Sequence, residues 1–124
     1  MKLDKTFSRE LCQINGDGSR EAKFAFLTPA KAAARELSTP SVASIFPSVV
    51  RKYGRSTVAV CLASTILGRQ DRLLPSTVQW AREVMRLWTN RPQNVGCVSI
   101  DDGLHPTRIE EYAGSFIRLT SYEA

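Results

Sequence analysis

Residues 54–68 read GRSTVAVCLASTILG, and little between the two glycines is polar enough to face water. Val58, Ala59, Val60, Cys61, Leu62, Ala63, Ile66 and Leu67 leave almost no polar face on a helix over Ser56 to Leu67. A helix that is apolar all round belongs at the centre of a core. Gly68 marks its end, and Gly54 marks the end of the element before it.

Toward the N-terminus, Pro47 to Tyr53 predicts a second short helix, preceded by a brief apolar stretch from Val42 to Phe46. Ser38-Thr39-Pro40-Ser41 is a break, because proline disfavours helical geometry in the residue before it. Thr28-Pro29 reads as a helix start, with a hydroxyl to cap and a proline at the first position, and that helix runs to about Leu37. Before it, Phe7 to Ile14 and Glu21 to Leu27 flank Asn15-Gly16-Asp17-Gly18, which predicts a β-hairpin. Ala22, Phe24 and Phe26 alternate with Lys23 and Ala25, as a strand with one apolar face would. An EF-hand fails over the same residues, since Arg20 stands where that loop needs glycine and Phe26 where it needs glutamate.

On the C-terminal side, Arg69-Gln70-Asp71-Arg72 reads as a solvated connector. Pro75 opens a longer helix to about Trp88, with Val78, Ala81, Val84, Met85 and Trp88 on one stripe and Trp80 and Leu87 beside it. Asn90 to Gln93 reads as a turn, and Val95 to Ile100 as a short strand or extended connector. Pro106 opens the last helix, where Ile109, Tyr112, Ala113, Phe116 and Ile117 form an apolar stripe and Glu110 and Glu111 fall in the first turn. The expected fold class is α+β: one mostly helical domain over 1–124, with a β-hairpin at 1–27 and a core of about five helices over 28–124. No internal repeat or low-complexity segment points to a solenoid or a disordered tail.

Composition agrees with a folded domain. The chain has 124 residues, 43% apolar and 23% charged, values far from the polar, highly charged signature of disorder. No apolar run reaches the roughly 18 residues that cross a bilayer, and the N-terminus lacks a signal peptide's apolar stretch, so a cytosolic protein is expected. Cys12, Cys61 and Cys97 are odd in number and widely spaced, which fits reduced thiols rather than a disulfide framework. With a single histidine and no C-x-x-C pair, structural zinc is rejected, and no cofactor is implied.

Charge is uneven. Residues 28–90 carry nine basic and three acidic groups, whereas residues 91–124 carry three and five. The basic middle comprises Lys31, Arg35, Arg51, Lys52, Arg55, Arg69, Arg72, Arg82 and Arg86. It suits a polyanion or an acidic protein surface if the fold gathers it, and is a solvated face if not. The stretch Val49 to Ser64 has the outline of a helix-turn-helix, but Ala59, Val60, Cys61 and Ala63 offer nothing to a base edge. A second version, with Val78 to Trp88 as the reading helix, has better chemistry in Arg82 and Arg86 but a longer connector than usual. His105 is the sole imidazole, near Cys97, Asp101 and Asp102, and its place before Pro106 favours a helix-entry role over catalysis. No P-loop, dinucleotide fingerprint or H-E-x-x-H occurs, so an enzyme is disfavoured.

Tyr53-Gly54-Arg55, Thr57-Val58-Ala59, Leu62-Ala63-Ser64-Thr65, Trp80-Ala81 and His105-Pro106 together resemble an uncharacterised domain of mobile-element and phage proteins from Gram-positive gut bacteria, over residues 47–119. The resemblance implies a mobile-element setting. In that setting the expected function is a small non-catalytic binding protein acting on a host protein, such as an anti-CRISPR-like inhibitor of a nucleic-acid-guided nuclease. The alternative is a helix-turn-helix-like DNA-binding or regulatory protein. The partner-binding candidates are Arg51, Lys52, Arg55, Arg69, Arg72, Arg82 and Arg86, with Trp80 as an aromatic anchor.

Overall fold

The computed structural model describes residues 2–13, 20–37, 42–88, 105–120 and 122–123. Among the described residues, six α-helices follow one another: α1 (Lys5–Gln13), α2 (Arg20–Leu37), α3 (Val42–Tyr53), α4 (Arg55–Leu67), α5 (Pro75–Trp88) and α6 (Pro106–Thr120), with a 3-10 turn at Gln70–Arg72. The β structure among the described residues is a two-residue antiparallel ladder between β1 (Lys2–Leu3) and β2 (Tyr122–Glu123), pairing Lys2 with Glu123 and Leu3 with Tyr122.

The expected α+β class with an N-terminal β-hairpin is therefore corrected to a helical fold, because both proposed arms are helical in α1 and α2. Asp4 starts α1: its Oδ1 accepts the backbone N–H of Thr6 at 2.9 Å and of Phe7 at 3.1 Å, as a helix cap does. Phe7 and Leu11, one helical turn apart, are both fully buried. In the second arm, alternation over five residues was too short to outweigh the helix-forming Glu21, Ala22, Lys23, Ala25 and Leu27. The Asn15 to Gly18 turn lies outside the described residues, as do Ser38 to Ser41 and Val95 to Ile100.

Two prolines expected at helix starts stand inside helices, Pro29 in α2 and Pro47 in α3. An interior proline removes one backbone hydrogen bond and costs about 3 kcal/mol. Packing overrides that cost: Ala30, Ala33, Ala34 and Leu37 are buried along α2 after Pro29, and Phe46 and Val49 are buried on either side of Pro47. The boundaries of α5 at Pro75 and Trp88 and the start of α6 at Pro106 fall where the sequence puts them. Glu110 lies one turn further into α6 than expected, and its carboxylate accepts the backbone N–H of Leu74 at 2.5 Å, tying the connector to α6.

Helix α4 occupies the centre, as its sequence requires. Val58 through Ala63 have no exposed surface, and α1, α2, α3, α5 and α6 all pack against this helix. Two of its buried side chains find acceptors, one on α2 and one within the helix: the Cys61 thiol donates to the Ala30 carbonyl at 3.5 Å, and the Thr65 hydroxyl donates to the Cys61 carbonyl at 3.2 Å. Gly54 alone joins α3 to α4. Its N–H donates to the Val50 carbonyl at 2.9 Å, its carbonyl accepts the Val58 N–H at 3.3 Å, and its φ of +87° is one that side chains with a Cβ rarely adopt. Among the described residues, no helix is long and apolar enough to cross a membrane.

Two substitutions test this account. Cys61→Asp buries an unpaired carboxylate in α4 and is expected to abolish the cooperative thermal transition followed by circular dichroism, while Cys61→Ala retains it. Gly54→Ala meets no atom within 4 Å. It should therefore cost only the conformational penalty, about 1–2 kcal/mol in a urea titration.

Candidate partner-binding surface

The basic residues are carried by two separate parts of the fold. Lys31 and Arg35 belong to α2 and Arg51 and Lys52 to α3, and the Lys52 ammonium lies 3.6 Å from the Glu36 carboxylate across the two helices. Arg69, Arg72, Arg82 and Arg86 belong to the connector and α5, where an Arg82 Nη2–H donates to Gln70 Oε1 at 2.7 Å. Both α2 and α5 pack on the central helix α4, and neither packs extensively on the other among the described residues.

Two candidates serve the fold instead of a partner. Trp80 is fully buried, with its ring 5.9 Å from that of Phe116, so it holds α5 against α6 and is no surface anchor. Its place beside the apolar stripe of α5 left this open in the sequence. Arg55 forms a bidentate pair with Glu10: Nε–H to Oε2 at 2.8 Å and Nη2–H to Oε1 at 3.0 Å. Its guanidinium also lies 5.2 Å from the centroid of the Phe7 ring. The Ser56 hydroxyl donates to the same Glu10 carboxylate at 3.0 Å, which places an acid at the N-terminal end of α4. Glu10 was not singled out in the sequence, because its partner is 45 residues away.

The remaining candidates reach solvent. Arg51, Lys52, Arg72, Arg82 and Arg86 are exposed, and Arg69 is half-buried at the start of the connector. Lys52 also lies 5.2 Å from the Tyr53 ring, and its contacts with Tyr53 and Glu36 raise its pKa. Arg86 pairs with Glu83 within α5, Nε–H to Oε2 at 3.0 Å, which holds the Glu83 carboxyl below its ordinary value. Such an exposed pair within one helix is worth at most about 0.5 kcal/mol. The outer face of α5 consists of Ser76, Gln79, Arg82 and Arg86, all exposed. Beside it, Leu74 is a large apolar side chain left 58% exposed.

His105 has the helix-entry role that its position suggests. Its Nδ1 accepts the Thr107 N–H at 3.2 Å and its carbonyl accepts the Ile109 N–H at 3.1 Å. Cys97, Asp101 and Asp102 lie outside the described residues. No protein family, curated protein or solved structure matches the chain.

The Glu10–Arg55 pair makes stability depend on pH. The Arg55 hydrogen bond holds the Glu10 carboxyl below its ordinary value of 4.5 against the opposing effect of burial. The pair's stabilisation is therefore full above pH 4.5 and is lost as pH falls through the lower folded value. Glu10→Gln is expected to lower stability at neutral pH and to flatten its decline below pH 4.5 in denaturant titrations across pH.

Proposed function

We propose that this chain is a small, non-catalytic binding protein that meets an acidic protein surface through the outer face of α5 and the connector before it. The observation that carries this reading is the Arg82 and Arg86 pair, one helical turn apart on an exposed face that packing does not use. Arg82 donates to the neutral side-chain amide of Gln70, so its charge is left for a partner to neutralise. Arg72 extends the positive edge through the 3-10 turn, and Leu74 supplies apolar area next to it. The partner class to test first is a host nucleic-acid-guided nuclease, the expectation that a mobile-element setting gives.

A second reading, direct DNA binding, is favoured by one observation. Ser76, Gln79, Arg82 and Arg86 give α5 the polar outer face a reading helix needs. Helix α4 cannot serve that way, because Val58 through Ala63 have no exposed surface.

Affinity capture from host lysate with and without nuclease separates the two. A stoichiometric protein partner that survives nuclease supports the first reading, and capture of nucleic acid alone supports the second. Arg82→Glu with Arg86→Glu is expected to weaken binding at least about tenfold while lowering Tm by no more than about 3 °C. If DNA is the ligand, affinity should fall steeply and log-linearly with salt.

A further inference from the structure

A groove of about 540 Å³ runs between α3 and α6, on elements that the α5 surface does not include. Phe46, Pro47, Val50 and Arg51 line it from α3, and Ser115 and Arg118 from α6. Its floor is packed and shallow. The Phe46 ring is only 5% exposed, stacked on Tyr112 at 4.9 Å and set edge-on to Phe116 at 5.5 Å. Pro47 is exposed beside it and Val50 is half-buried, so apolar area remains for a ligand.

The edges are cationic. Arg51 and Arg118 are exposed, on opposite sides of the groove, and neither has a carboxylate partner among the described residues. Arg118 donates from Nη2 to the Ser115 hydroxyl at 3.3 Å, a neutral acceptor that orients the guanidinium and leaves its charge in place. Elsewhere, Lys52, Arg55 and Arg86 each have an acid within 4 Å. An apolar strip between two unneutralised guanidiniums complements a ligand with an aliphatic centre flanked by carboxylates.

We propose that this groove docks an acidic amphipathic segment of a partner protein, with an aliphatic side chain on Phe46, Pro47 and Val50 and carboxylates on Arg51 and Arg118. The spacing of Phe46 and Val50, one turn apart, matches the turn-by-turn anchors of a helix lying in a groove. A shallow floor suits such a segment better than a lipid chain, which needs a site enclosing most of its surface. The proposal goes beyond the α5 reading and does not depend on it.

The test is selection of random displayed peptides on the full-length protein, followed by titration of the enriched peptides against variants. Enriched sequences are expected to combine Asp or Glu with Leu, Ile or Phe. Their affinity should fall at least about tenfold in Arg51→Glu with Arg118→Glu and be unchanged in Lys5→Glu with Arg9→Glu, exposed cations of α1 that belong to neither surface. Thermal melts should show the groove variant folded, since both arginines are exposed. Enrichment without acidic residues, or no enrichment above that on the groove variant, overturns the proposal. So does groove-dependent binding of decanoate without peptide enrichment, or dimerisation lost in the groove variant, which would assign the groove to a free acid or a second copy.

Discussion

From Val58 to Ala63, α4 has no surface left for water, so each of the other five helices must lay an apolar side against it. That demand explains features that look unfavourable one at a time. Helices α2 and α3 run through prolines because Ala30, Leu37, Phe46 and Val49 are worth more packed than a broken helix would save. Ala59, Cys61 and Ala63 are fully buried among these helices, and Cys61 reaches the Ala30 carbonyl of α2. Phe46, Tyr112, Phe116 and Trp80 form a run of aromatic contacts linking α3, α6 and α5.

The start of α4 is where the fold is most specified. Gly54 turns the chain from α3 into α4 within a single residue, and it brings no capping side chain. The carboxylate of Glu10, from α1, sits at this end through Ser56 and Arg55. One acid thus offsets the helix dipole, neutralises a half-buried arginine and links the first helix to the central one. Arg55 is consequently spoken for, despite belonging to the most basic stretch of the chain.

Once Arg55 and Trp80 are assigned to the fold, the surface chemistry divides into regions of different character. The outer face of α5 is polar and carries Arg82 and Arg86, with the exposed Leu74 at its edge. The α3–α6 groove is apolar, with Arg51 and Arg118 at its edges. Such regions suit a protein that acts by contact, one contributing charge and the other a hydrophobic anchor.

The central helix, the span of α5, the start of α6 and the Gly54 junction were legible in the sequence, because each depends on local periodicity or on a single proline or glycine. The first two helices were not. Over a few residues, Ala22 to Phe26 satisfies a strand pattern as well as a helix, and alternation that short does not outweigh the helix-forming residues around it. The fates of the cations were equally hidden. Arg55 and Arg82 look alike in sequence, yet one meets Glu10 across 45 residues and the other faces solvent beside Gln70. The sequence by itself determined which segment must be buried, because hydrophobicity is a property of the residues. Only the tertiary structure decided which charges remain for a partner, because neutralisation depends on what folding brings within hydrogen-bond reach.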